Sequence, residues 1–414
     1  MKLFLSLLTV VIFVWSVPLS AQQTVPANQA ELIQTLMNRV EQLEKRVAEL
    51  EGSKTPPALP HDVQEALVGA VPPAQAITNA NVEGPSLKLN GFGDVNFAAT
   101  DQPGAHSGFN EGQFILHVHS NLSPKVSFLG ELSLTARTDA GLGSPAATGF
   151  NAEVERSIIR FEHNDYLKLS FGRYHTPINY WNTAFHHGQW LQTTAGRPEM
   201  VQFGGKFIPV HFIGALLEGA VPANGLNFNY NVGLGNGRGS VISRGGDAGD
   251  SNNNRAWLVN TFVKPDRLYG LQIGASAYRD KITTGGRDFN EWITSGHIVW
   301  SRETPEVIAE FANVRHSSLT VPAPRSNSQA FYVQFGYRLP IWSRQWKPYY
   351  RFEYIHIPRS DTVFEGVPNL AGSVVGTRYD LSSFAALKFE YRNQRRAPGE
   401  PRINTGVVQT SFTF

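Results

Sequence analysis

The feature that most constrains this chain is a period of two. From Ser86 to Phe414, short runs of alternating apolar and polar residues follow one another with no helical interlude. Leu87-Lys88-Leu89-Asn90 and Asp94-Val95-Asn96-Phe97 put Lys88, Asn90, Asp94 and Asn96 on one face and their apolar neighbours on the other. The pattern returns in Lys125 to Leu134, in Phe331 to Leu339 and in Ala385 to Arg392, where Lys388, Glu390 and Arg392 alternate with Leu387, Phe389 and Tyr391. Successive side chains of a strand point to opposite faces, so each run meets two different surroundings. Many short strands with no helices between them predict an all-β, antiparallel domain.

Sixteen strands can be counted, near 86–98, 110–122, 124–136, 151–162, 166–174, 209–220, 226–234, 255–264, 268–280, 289–301, 304–315, 328–340, 345–356, 371–380, 383–393 and 403–414. The connections alternate in length. Tight ones, such as Asn121 to Pro124, His163 to Asp165 and Pro265 to Arg267, take turns with long ones rich in Gly, Asn and Ser, the clearest being 235–254. Short periplasmic turns and long extracellular loops are the layout of an outer-membrane barrel. With Phe414 at the periplasmic end, every tight turn falls on that side, provided that 175–208 is one long inserted loop. Tyr166, Tyr269, Trp300, Trp342, Trp346, Phe384 and Phe414 gather beside those turns, as an interfacial girdle does. A secreted sandwich or propeller is the soluble alternative. It would need the opposite facing, polar outward and apolar inward, which alternation alone does not decide.

The N-terminus obeys other rules. Lys2, the apolar run Leu3 to Trp15 and the small-residue site Leu19-Ser20-Ala21 form a secretory signal over 1–21, too short in its apolar core to be read first as an anchor. Ile33, Leu36, Val40, Leu43, Val47 and Leu50 then fall at a and d heptad positions, with Arg39 and Arg46 at g and Glu44 and Glu51 at e. That spacing predicts a periplasmic coiled-coil helix over 22–51, the alternative being an amphipathic helix folded onto its own chain. Six prolines (Pro56, Pro57, Pro60, Pro72, Pro73 and Pro85) make 52–85 a linker. The expected architecture is therefore a short coiled coil followed by a sixteen-stranded transmembrane β-barrel over 86–414.

Composition narrows the functions. With no cysteine there is no disulfide scaffold, zinc-thiolate site or thiol nucleophile. The 36 Lys and Arg against 34 Asp and Glu leave a net charge of +2, with no general drive toward nucleic acid.

The order of several weak motifs resembles a family. These are the heptads of 33–50, Leu89-Asn90-Gly91-Phe92, Phe171-Gly172-Arg173-Tyr174-His175-Thr176-Pro177, Arg378-Tyr379-Asp380-Leu381-Ser382 and the terminal Phe414. Together they resemble the trimeric outer-membrane porin superfamily, in its phosphate-selective-porin-like branch with an N-terminal periplasmic coiled coil. The resemblance implies a homotrimer embedded in outer-membrane lipid, with a third extracellular loop folded inward to narrow the pore, which matches 175–208. The terminal Phe414 likewise resembles the signal read by barrel-assembly machinery. The loop lacks the basic cluster of phosphate-selective members, so phosphate specificity is not carried over.

With apolar faces toward lipid, alternation assigns the pore wall. Its basic members are Lys88, Lys125, Arg156, Arg160, Lys168, Arg338, Lys347, Arg351, Arg378, Lys388 and Arg392; its acidic ones are Asp94, Glu131, Glu162, Glu310, Glu353 and Glu390. The basic excess predicts weak anion selectivity, unless neighbouring Arg and Glu pair across the wall. In the loop, the dense aromatics Tyr180, Trp181 and Trp190 would pack on the inner wall and constrict it. His186, His187, Gln189 and Arg197 would offer polar groups to solute, with His175 also at the constriction. A zinc or copper site on His175, His186 and His187 is conceivable, but adjacent histidines seldom share an ion and only Glu199 is an obvious nearby carboxylate. The expectation is a constriction with no metal and no cofactor. No Gly-x-Ser-x-Gly element is present, and Gly-Asn-Gly-Arg-Gly at 235–239 lacks a Gly-Lys-Ser/Thr ending, so it reads as a flexible exposed loop. A non-enzymatic pore is the first expectation. A structural or adhesive barrel with an occluded lumen is the rival.

Overall fold

The computed structural model describes residues 85–136, 149–202, 206–239, 241–322 and 324–414, together with Gln42 and Lys45. The strands are β1 (Ser86–Thr100), β2 (Gly108–Ser123), β3 (Val126–Ala136), β4 (Phe150–Asn164), β5 (Leu167–His175), β6 (His211–Val221), β7 (Phe228–Asn236) and β8 (Ala256–Val263). They continue with β9 (Leu271–Thr284), β10 (Arg287–Ser301), β11 (Glu306–Ser318), β12 (Ser326–Gly336), β13 (Trp346–His356), β14 (Leu370–Asp380), β15 (Ala385–Arg395) and β16 (Ile403–Thr413). Each pairs with its sequence neighbours and β1 closes on β16, giving a closed sixteen-stranded barrel. All sixteen expected strands are present, their ends moved by at most four residues.

Which face is inside is now answered. Leu132, Leu134, Ile159, Phe161, Phe171, Phe311, Val333, Phe335, Val375 and Phe389 are exposed on the outer surface. The residues between them on the same strands, among them Glu131, Ser133, Ser170, Glu310, Gln334 and Glu390, are buried. A soluble sandwich requires the reverse. Of the girdle residues, Tyr166, Tyr269, Trp342, Phe384 and Phe414 are exposed, while Trp300 and Trp346 are half-buried.

Closure depends on a residue without a side chain. Gly91 and Phe414 exchange backbone hydrogen bonds of 2.9 and 3.1 Å across the β1/β16 seam. A Cβ on Gly91 would lie 2.5 Å from the Phe414 ring, and that ring stacks on Phe114 at 5.5 Å. Gly172 in β5 is held at φ +140°, and a Cβ there would meet the Ser157 carbonyl oxygen at 1.8 Å, which accounts for the glycine in Phe171-Gly172-Arg173.

Two connections depart from the expected layout. Gly285 and Gly286, with φ of 56° and 71°, reverse β9 into β10 in two residues on the side that otherwise carries the long loops. Glycine accepts both positive φ values that such a hairpin needs. The segment 235–239 is not a flexible exposed loop: Arg238 is buried, donating to Glu291 Oε1 at 2.9 Å and to the carbonyls of Ile242 and Phe207 at 2.8 and 3.0 Å.

The signal, coiled-coil and linker expectations lie outside the described residues. Gln42 and Lys45, heptad positions c and f, are helical and exposed.

Candidate functional site

Most of the wall charges are paired. Arg156 binds Glu131; Arg160 lies 2.9 Å from Glu218; Arg351 and Glu353, and Arg392 and Glu390, are each 2.7 Å apart. Arg378 holds Asp380 at 2.7 Å, Lys347 holds Glu306 at 2.8 Å and Lys168 lies 3.6 Å from Glu162. Asp94 accepts from Asn96 at 2.7 Å and from the Gln113 amide at 3.0 Å, while Lys88 is exposed near the start of β1.

Several sequence assignments are corrected. Lys125 sits in the exposed turn between β2 and β3, one residue short of the wall. Arg338 lies two residues beyond β12 at the barrel rim, bound to Glu303 at 2.8 Å and to Asp380. The basic excess largely cancels, because strict alternation overlooked acids. Glu155 is the main example: a register shift pairs Glu131 with Arg156 and Leu132 with Val154, skipping Glu155. This bulge lets Glu155 and Arg156 both turn inward, which a period of two forbids.

The long insertion makes its polar contacts with the wall rather than with water. After β5 it forms one helical turn, α1 (Trp181–Ala184). Glu310 on β11 accepts from the amides of Tyr180 and Trp181 at 2.8 and 2.6 Å. Asn179 donates its amide to Ser276 on β9 at 3.1 Å. Thr193 reaches Glu306 on β11 at 2.8 Å, and Glu199 donates its amide to Glu353 on β13 at 2.7 Å. On the opposite wall, Ala195 donates to Glu390 on β15 at 3.0 Å and accepts from Gln409 on β16 at 3.0 Å. Arg351 donates to the Gly196 and Arg197 carbonyls at 2.8 and 3.2 Å, and Arg378 to those of Trp190 and Gln192 at 2.6 and 2.9 Å. Lys388 donates to the Gln189 and Thr194 carbonyls. One loop therefore touches strands around most of the circumference.

Of the eight loop residues expected at a constriction, Tyr180, Gln189 and Trp190 are half-buried, and the others are withdrawn from solvent. Trp181 lies edge-on to Phe185 and Tyr332, with ring centroids at 4.7 and 5.9 Å. Arg197 donates to the Val201 carbonyl at 2.8 Å and to that of His186, so it ties the loop to itself rather than facing a solute. His186 and His187 are buried, and burial lowers both imidazoles below the usual histidine range, despite the opposing Glu155 beside His187. Glu199 lies at Glu353 and Arg396, away from the histidines. Glu155, Arg238 and Glu218 were missed from sequence: the first sits on a bulge, the second in a loop read as exposed, and the third was not separated from its apolar surroundings.

Between loop and wall remains a cavity of about 360 Å³, lined by Arg156, Arg160, Glu218, Lys264, Tyr180 and Asn260 among others.

No protein-family model matches the chain, and no curated protein matches its sequence. Solved structures share its fold. An anion-selective porin from Comamonas acidovorans superposes with a TM-score of 0.59 at 13% identity, over 80% of this chain and 100% of that one. OmpF of Salmonella typhi does so with a TM-score of 0.55 at 13% identity, over 80% and 98%. The outer membrane channel DcaP of Acinetobacter baumannii gives 0.52 at 12% identity, over 81% and 99%. At these identities the shared property is the architecture, the closed sixteen-stranded barrel of outer-membrane porins.

Proposed function

We propose that the chain is an outer-membrane porin, a passive diffusion channel for small hydrophilic solutes or ions whose pore is narrowed by the 175–208 loop. The observation that carries this reading is the partition of the barrel: an apolar belt outside, paired charges inside, and no sheet edge left open. Unsatisfied backbone is intolerable in hydrocarbon, which closed barrels solve and open sheets do not. In this proposal 1–21 directs export, 22–51 forms a periplasmic coiled coil, Phe414 presents the chain to barrel-assembly machinery and three copies associate in outer-membrane lipid. Weak anion selectivity follows from the cavity rather than from the whole wall, because Arg156, Arg160 and Lys264 face it against Glu218.

Stepwise currents in a planar bilayer, with a reversal potential of anion sign in a KCl gradient, are expected. A clear cation preference would overturn the selectivity. A silent, correctly inserted barrel would favour the occluded structural barrel, a reading supported by the apolar cluster that seats the loop against β9 to β12.

A further inference from the structure

We propose that His175, His186, His187 and His211 form a binding site for one divalent transition-metal ion, of the zinc, nickel or copper kind, which fastens the loop to the wall where it departs. The four residues offer one ligand nitrogen each, all within 4.8 Å of one another. The fold brings them together from both ends of the insertion. His175 ends β5 and His211 begins β6, directly opposite each other in the ladder. The α1 turn then returns His186 and His187 over them: the ring centroids of His186 lie 3.5 Å from His175, 4.3 Å from His187 and 5.0 Å from His211.

The surrounding groups are those a metal-binding histidine uses. His186 Nδ1 lies 3.0 Å from Asn182 Oδ1, and His187 Nδ1 lies 3.2 Å from Gln113 Oε1. A His186 ring that donates through Nδ1 to Asn182 offers Nε2 as its ligand atom, whereas His187, with Gln113 at Nδ1 and Glu155 at Nε2, must release one of these oxygens to bind an ion. Glu131 stands 3.3 Å from His175 Nε2, and Glu155 stands 3.3 and 2.7 Å from the Nε2 atoms of His187 and His211. The charges around the cluster are these two carboxylates, balanced by Arg156 on Glu131, by the buried Arg197 and by Arg173, which lies 3.5 Å from Glu155 and 3.2 Å from His211 Nδ1, a contact that an ion bound through that nitrogen would replace. The objection that no carboxylate is near is thereby removed: Glu131 and Glu155 come from β3 and β4, remote in sequence.

Ligand chemistry selects the ion. Imidazole suits zinc, nickel and copper(II), whereas calcium and magnesium need oxygen shells and copper(I) prefers sulfur. Tetrahedral bonds of about 2.0–2.1 Å set nitrogens roughly 3.4 Å apart, so rotation of the side chains by about 1 Å closes the cluster on an ion.

The test uses the mature full chain in detergent, stripped with EDTA and titrated with ZnCl₂ by calorimetry, and with CoCl₂ by visible absorption. Binding of one ion per chain, with the visible bands of tetrahedral cobalt, is expected. His186→Asn and His211→Asn should each weaken it about tenfold or more, by analogy with the loss on disturbing histidine-metal shells. His163→Asn, an exposed histidine elsewhere, should leave it unchanged. Binding that survives both loop-cluster substitutions, or no saturable binding, overturns the proposal. If the variants fail to insert, X-ray absorption at the zinc edge of the unaltered protein decides: a shell of three or four imidazoles supports the site, and an oxygen shell overturns it.

Discussion

The two sides of the barrel interior are built from one alternating pattern yet are filled differently. From β13 through β16 and into β4, inward positions carry Arg351, Glu353, Arg378, Lys388, Glu390, Arg392, Asp94, Glu131 and Arg156, most of them in ion pairs or hydrogen bonds. From β8 to β12 the inward positions alternate a few buried charges, Asp280, Glu291, Glu310 and His316, with Leu258, Tyr278, Ile293, Ile308, Val314, Ala330 and Tyr332, and the apolar ones are covered by Ile178, Trp181, Phe207, Ile208 and Phe364 from the loops. The difference teaches that a uniform apolar belt constrains only the outer face. What an inner face needs depends on whether water, charge or a folded loop meets it, and a single strand does not carry that information.

The largest effect is expected on the charged side. Arg351→Met leaves Glu353 buried without its partner and frees three loop acceptors, Thr194 Oγ1 and the carbonyls of Gly196 and Arg197. Breaking a buried pair from one side costs about 5 kcal/mol at the upper end, measurable by denaturant unfolding in detergent. Arg351→Met with Glu353→Met should recover most of it. A double variant as unstable as the single would mean that the loop carbonyls, not Glu353, hold Arg351 in place.

On the apolar side, Trp181→Ala should cost about 4 kcal/mol, since the indole is fully buried and the wall cannot collapse into the space. The loop should become protease-sensitive while the barrel stays folded. A loss under about 1 kcal/mol would place the seat of the loop in its polar contacts instead.

How much of this was readable in the chain follows the same division. The strands were, because period two and the turn residues are local. The outward face was, once the export signal and the alternation of short turns with long loops suggested a lipid neighbour. The constriction was readable only as a place: Trp181 was expected on the inner wall and is there, whereas His186, His187 and Arg197 were expected to face a solute and instead meet Asn182, Glu155, Gln113 and the loop's own carbonyls, of which Glu155 and Gln113 lie on strands remote in sequence. The wall charge was misjudged for the same reason, since Glu218 and Glu155 pair with residues two strands away, across β5.

The seam between β16 and β1 lies within the charged side and tests whether closure is as demanding as the ion pairs. Gly91→Val drives a side chain into the Ile115 carbonyl oxygen, 2.4 Å away, and into the Phe414 ring. Overpacking of this kind costs about 2 kcal/mol, and the sign should appear first as slower assembly. Gly91→Val that assembles and melts like the parent would show that the seam can open enough to admit a side chain.

The smallest energetic effect should be the most informative about transport. Arg160 is partly exposed, lies 2.9 Å from Glu218 and 3.1 Å from Ser170 Oγ, and lines the remaining cavity. An exposed pair is worth less than about 1 kcal/mol, so Arg160→Gln should leave melting nearly unchanged. It nevertheless removes one of the cavity's cations and leaves Glu218 facing solute, so the reversal potential in a KCl gradient should move toward cation preference. Arg351→Met should not reproduce that shift in any protein that still conducts, because Arg351 is buried under the loop and meets no permeating ion. If Arg160→Gln leaves the reversal potential unmoved while a substitution among the buried pairs shifts it, the conducting path runs along the paired wall, and the cavity between loop and wall is not where ions are chosen.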